Sequence, residues 1–169
     1  IDNTWNNLTN GAYCWYNNDE ATFKNTYGAL YNWFTVVDNR QLCPTGWHIP
    51  SYEDWTTLTD FLGGADIAGG KMKSTRTAPE SHPRFDLPNE GATNISGFAG
   101  FPGGYRLKSG IFEEIGRSGY WWNSTVDNLN HTWMRALDFN SDDLYMDMAF
   151  KQTGFSVRCL KGIDISTLT

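Results

Sequence analysis

Apolar positions recur with helical spacing in the first third of the chain. In NTYGALYNWFTVV, Tyr27, Leu30, Tyr31 and Phe34 stand at i, i+3, i+4 and i+7, which predicts a helix with one apolar face. SYEDWTTLTDFLGG predicts a second, better delimited helix. Ser51 caps it, and Asp54 three residues on completes a capping box. Glu53 and Asp54 lie in the first turn, where the helix dipole favours acids. Trp55, Leu58 and Leu62 form its buried stripe, and Gly63-Gly64 supply the stop.

The pattern then changes. From Gly69 to Asn94 no period is sustained, and Pro79, Pro83 and Pro88 predict a long surface loop. Beyond it, GFAGFPGGYRL, GYWWNST, TWMRALDFN, LYMDMAF and GFSVRCL are short aromatic or β-branched runs separated by glycines, and they predict strands. In LYMDMAF, Leu144, Met146, Met148 and Phe150 alternate with Tyr145, Asp147 and Ala149, the pattern of a half-buried strand. Helices first and a glycine-punctuated antiparallel region after predict an α+β domain.

The 169 residues fit one domain, 1–169 with a core over about 12–161, large enough to bury a core without metals. Charged residues make up 19%, below the usual quarter, and aromatics reach 15%. That composition is too aromatic for disorder and too polar for a membrane protein, and no run reaches the roughly 18 apolar residues of a span. A net charge of −6 argues against a nucleic-acid partner, because a phosphate backbone wants a Lys/Arg-rich face. The first ten residues show neither the basic nor the apolar run of a signal peptide, so the chain reads as a mature domain or a module of a longer protein.

Catalytic chemistry finds little footing. Cys43 and His48 are close in sequence, but Pro44 and Pro50 bracket an extended path that keeps them beyond hydrogen-bond reach. His48 therefore reads as a half-buried histidine and Cys43 as a structural sulfur. HExxH, P-loop, GxSxG and GxGxxG motifs are all missing from the sequence. Cys14, Cys43 and Cys159 lack zinc spacing and leave two alternatives open, one disulfide with one thiol or three buried thiols. The acidic clusters Asn17-Asn18-Asp19-Glu20 and Ser141-Asp142-Asp143 read as Asx turns, with Ca²⁺ as the ion they leave open. No other cofactor is expected. Asn7, Asn94, Asn123 and Asn130 head N-x-S/T sequons, which matter only in a glycosylating host.

The aromatic surplus is more informative. Most of these rings must pack the core, but a Trp or Tyr on the polar face of a strand offers a sugar a flat apolar platform. Tyr145 stands opposite the apolar residues of its strand, with Asp143 and Asp147 on its own side. Trp133 shares a strand face with Leu137 and Phe139 and reads as core, though it stays in the candidate set with Trp122 and Asn123. Arg76, His82 and Arg84 in the long loop, with Arg106 and Lys108, are the candidate contacts to an anionic group.

The pieces CWYNND, YGALYNW, LCPTGWHIPSYEDW, AGGKMKS, ATNISGFAGFPGGYR, GYWWNST and GFSVRCLK, in that order from Cys14 to Lys161, resemble the Fibrobacter succinogenes major paralogous domain (FISUMP) family. The family is bacterial, abundant in Fibrobacter and Bacteroidota, and typical of secreted or surface-anchored proteins. The resemblance implies a C-type-lectin-like fold, with two helices packed on a twisted antiparallel sheet and long loops. It is the fold of formylglycine-generating enzymes and of the variable proteins of diversity-generating retroelements. It also implies that Cys43 and Cys159 are neighbours in a disulfide, with Cys14 left over; Trp47, like Trp55, reads as core. Enzymes of the formylglycine-generating kind use two cysteines near the chain end; only Cys159 stands there, so no catalytic role is expected.

The chain departs from the family pattern in STRTAPESHPRFDLPNEG and in NSDDLYMDM. Variation falls where lectin-like folds bind ligands, which places a site between the long loop and the LYMDMAF strand by analogy of fold. The expected function is a non-catalytic module binding a polysaccharide, possible forms including anionic or sulfated ones. The alternative is a protein-binding adhesion domain. The expected setting is a monomeric module of a secreted or cell-surface protein, without nucleic acid or membrane insertion.

Overall fold

The computed structural model of the chain describes residues 3–162. The capping box forms as the sequence predicts. In α4 (Tyr52–Phe61) the Ser51 hydroxyl accepts from the Asp54 N–H, and the Asp54 carboxylate accepts from the Ser51 N–H. At the other end the Gly63 and Gly64 N–H groups donate to the Asp60 and Thr59 carbonyls, a complete Schellman stop. Trp55 and Leu62 are buried and Leu58 packs beside them.

The helix expected from Tyr27 to Phe34 does not form. Gly28 takes a positive φ of 79°, Leu30–Tyr31 is a strand (β2) paired with Tyr13–Cys14 (β1), and only Trp33–Val36 (α3) is helical. The Tyr31 N–H is committed to the Phe155 carbonyl at 2.7 Å, and Asn32 caps α3 through the Thr35 N–H. Long-range pairing outweighs local spacing here. Single helical turns also occur at Asn3–Asn6 (α1) and Glu20–Phe23 (α2).

The long loop starts later than expected, because α5 (Ala65–Met72) runs through Gly69. A Cβ on Gly69 would overlap the Asp143 carbonyl, and one on Gly70 the Gly91 carbonyl. The glycine pair lets the helix lie directly against two backbone segments. Nor is the loop wholly at the surface. Phe85 is fully buried in the core, and so is Lys73, whose ammonium donates to the carbonyls of Glu90 (2.5 Å), Asp138 (2.8 Å) and Ser141 (2.7 Å). Burial pushes this lysine below its ordinary value, opposed by nearby Asp142, Asp138 and Glu90.

Five strands form the main sheet: β4 (Gly103–Arg106), β5 (Phe112–Ile115), β6 (Ser118–Val126), β7 (His131–Asp138) and β8 (Leu144–Phe150). Their order is β5-β4-β6-β7-β8, antiparallel except for β4 with β6. One face packs Trp121, Leu137 and Leu144 onto Trp55, Leu62, Ala68, Met72 and Phe85. The other packs Trp122 with Trp33 and Phe155. The helices and antiparallel-rich sheets make an α+β architecture.

The last strand is tied back to the segment that precedes α4. Trp47–His48 (β3) pairs antiparallel with Leu160–Lys161 (β9), and Cys43 is disulfide-bonded to Cys159 with 5.8 Å between Cα atoms. Closing a loop with a sequence separation of 116 residues is worth about 4–5 kcal/mol in the chain-entropy account. Cys14 lies in the core beside Trp5, Tyr16 and Leu30. Two expectations fail beside the bridge. Trp47 is 44% exposed rather than core, because the two-residue β3 has no layer over it. His48 is likewise exposed and faces the Asp54 carboxylate at 3.2 Å.

Candidate ligand-binding groove

Register and alternation decide which side chains share the open face. Met134 pairs with Asp147 and Ala136 with Tyr145 across β7 and β8, while Tyr120 pairs with Ala136 across β6 and β7. Directly paired residues point to the same side. Tyr120, Met134, Ala136, Tyr145 and Asp147 therefore line one depression of about 490 Å³, closed at its end by Glu114, Arg117, Ser118, Asp138 and Asn140. A second depression continues it, sharing Tyr120 and Met134 and adding Tyr105, His131 and Phe155. A third shares Leu107, Phe150 and Thr153 with the second and ends at Lys108. Sharing these residues in series, they make up the groove, whose far end takes in His131 and Phe150 from the helix-side register of β7 and β8.

Its floor is stiff. Tyr120 stacks on Phe155 with 5.2 Å between centroids and meets Tyr105 edge-on at 4.9 Å. Burial pushes the hydroxyls of both tyrosines up from the usual phenol range, and that of Tyr105 also donates to Glu113 at 2.7 Å. At the wide end Ser118 donates to Asp138, whose carboxylate also accepts the Asn140 N–H at 3.1 Å. Arg117 lies 3.8 Å from Glu114 with its guanidinium over Phe139. At the narrow end the Lys108 ammonium sits 4.6 Å from the Phe150 ring centroid. The groove thus offers aromatic faces flanked by hydroxyls, carboxylates and amides, with three acids against one arginine at its wide end.

The candidates from sequence divide sharply. Tyr145 and Asp147 stand in the groove, as does Lys108. Asp143 sits in the turn before β8, against α5, and lines no part of it. Trp122 and Asn123 are fully buried and belong to the core: the Trp122 indole donates to the Tyr31 carbonyl, and the Asn123 amide oxygen accepts the Thr125 N–H. Arg106 is also buried, its guanidinium between the rings of Trp5 and Phe112. Trp133 is on the helix-side face, edge-on to Tyr52 at 5.9 Å. The loop cations are engaged locally instead of lining the groove. Arg76 donates to the Ser81 carbonyl, His82 meets the Tyr27 hydroxyl at 2.6 Å, and Arg84 lies 3.8 Å from Asp86.

The strand itself behaves differently from its pattern. Only Leu144 of its apolar side is buried; Met146, Met148 and Phe150 are 43–45% exposed, because β8 is an edge strand that outruns the helices over it. Tyr120, Glu114, Arg117 and Asn140 were not legible as site residues. Tyr120 did carry a signal, alternating with Trp121 in GYWWNST, but the cross-strand register that sets it opposite Ala136 was needed to use it.

Of the two acidic clusters, the first is a turn. Asn17 and Asn18 adopt left-handed backbone, Asp19 caps α2 through the Thr22 N–H, and Glu20 pairs with Lys24 at 2.7 Å. In the second, the Ser141 carbonyl is held by Lys73 and the Ser141 hydroxyl by the Asp143 N–H. Among the described residues no group of three His, Cys, Asp or Glu side chains is arranged to hold a metal.

These features define a disulfide-tied α+β domain that covers one face of its sheet with helices and leaves a groove on the other. The chain belongs to the Fibrobacter succinogenes major domain family, whose model matches residues 1–161. No curated protein and no solved structure matches it.

Proposed function

We propose that the domain is a non-catalytic carbohydrate-binding module that lays a polysaccharide along the open face of the sheet. The observation that carries this reading is the continuity of the groove, a trough of tyrosine and phenylalanine faces with polar side chains along its rim. Such a shape suits an extended chain of rings better than a compact ligand. The charge of the lining favours an uncharged polymer over a sulfated or uronic one, because acids outnumber the arginine at the wide end. The Cys43–Cys159 disulfide supports an extracellular setting, and among the described residues no helix is long and apolar enough to cross a membrane. The C-type-lectin-like relationship belongs to the same reading and is supported by helices on one side of an antiparallel-rich sheet with long loops.

A protein-binding adhesion role has its own support in the exposed Met146, Met148 and Phe150 on the edge strand. Affinity electrophoresis against hydroxyethyl cellulose, xylan, mannan and dextran sulfate separates the readings. Retention is expected on a neutral polysaccharide and reduced roughly tenfold by Tyr145→Ala, the effect of truncating an aromatic anchor. Retention on none of them, together with capture of a defined protein partner, would reverse the assignment.

A further inference from the structure

A second exposed aromatic cluster lies at the paired strands β1 and β2, and it shares no residue with the groove. On β1 Cys14 turns into the core, so Tyr13 turns out and is 61% exposed. Tyr31 stands directly across from it, with 6.0 Å between ring centroids, and Trp15 meets Tyr13 edge-on at 5.7 Å. These edge-on and tilted contacts leave most of the Tyr13 ring open to solvent.

Beside Tyr13 is a hollow of about 300 Å³, at the low end of small-ligand clefts. It is built before any ligand arrives. The fully buried Asn32 takes the Ala12 N–H at 2.9 Å and donates to the Asn10 carbonyl at 2.9 Å, while the Thr35 hydroxyl donates to the Ala12 carbonyl. Gly11 leaves the floor open, since a Cβ there would press on Asp38 and Thr35 at 3.2 Å. Tyr31 is equally fixed, its backbone bonded to Phe155 in both directions and its carbonyl to the Trp122 indole.

The far wall is a fork. Arg40 donates through Nε and Nη2 to the two oxygens of Asp38, at 2.8 and 2.6 Å. That contact, with the Arg40 N–H, holds the Asp38 carboxyl down at about 2, so the pair is ionised and its charges cancel. A guanidinium and a carboxylate side by side still present free N–H donors and oxygen lone pairs in one plane. Adjacent hydroxyls on a sugar ring need that mixture of donors and acceptors. An aromatic face next to a neutralised fork suits a ring with one apolar face and an uncharged hydroxyl edge.

The geometry points to a second sugar-binding platform, in which Tyr13 stacks on one uncharged pyranose unit while Asp38 and Arg40 engage its hydroxyl edge. A module with two such sites holds one polymer at two points, or two chains at once, and gains avidity from their linkage. The ligand class is that of the groove reading, but the two sites fail separately.

The test is an NMR titration with cellohexaose, xylohexaose and mannohexaose, each to about 10 mM, well beyond a millimolar dissociation constant. At least one hexaose is expected to shift the Trp15 indole N–H and the Gly11 amide saturably. Tyr13→Ala and Arg40→Ala, both at exposed positions, should each weaken that transition about tenfold and leave shifts at Tyr120 and Met134 unchanged. Tyr145→Ala should do the opposite. Shifts confined to the groove, or no response at Trp15 and Gly11 to any hexaose, overturn the platform. Shifts at Trp15 and Gly11 alone keep the platform and overturn the groove.

Discussion

On the helix-covered face of the sheet, Trp121, Leu137 and Leu144 lie against Trp55, Met72 and Phe85; on the other, Tyr120, Met134 and Tyr145 stand over an open groove. Trp121 and Tyr120 are consecutive residues, and so are Leu144 and Tyr145. Strand alternation sends neighbours to opposite sides, but it does not say which side will be covered. Cover comes from α4 and α5 on one side. On the other, α3 and the Gly154–Ser156 segment cover Trp122 and meet β8 at Ala149, leaving Tyr145 and Asp147 open. An aromatic side chain contributes to stability where cover exists and is left available to a ligand where it does not.

The contrast can be broken most forcefully at Trp55. Trp55→Ala should cost about 3–5 kcal/mol, as expected for emptying a packed aromatic site, read as a lowered urea midpoint at unchanged slope. Lys73→Met should cost about 3 kcal/mol, because three buried carbonyls lose their donor. It sharpens the comparison as well. Lys73 holds the turn after β7, and Asp138 and Asn140 at that turn line the groove, so this variant should lower both stability and glycan retention. Tyr145→Ala should change stability by less than about 0.5 kcal/mol, the usual range for a surface substitution. If its urea midpoint falls as far as that of Trp55→Ala, the two faces do not differ as described.

How legible each part was follows from how local its causes are. The α4 helix could be read because cap, stripe and stop lie within fourteen residues of one another. The Tyr27–Phe34 spacing misled because it ignores Phe155, which is remote in sequence and takes the Tyr31 N–H. Tyr145 and Asp147 were found by alternation on a single strand. Arg106 and Asn123 were polar side chains in aromatic surroundings, and nothing nearby in sequence announced that Trp5, Phe112 and Trp33 would close over that region. The Cys43–Cys159 pairing followed from family resemblance, since three cysteines without a spacing rule leave the partners open.

What the sequence by itself determined was the family, the α+β class, the capped helix and the side of β8 on which Tyr145 stands. Only the tertiary structure decided which aromatic rings face water, which cations are free to meet a ligand, and that Tyr13 and Tyr145 stand at separate hollows. The physical reason is range. Caps, stops and alternation act between residues a few positions apart, whereas exposure depends on side chains that the fold brings from the other end of the chain.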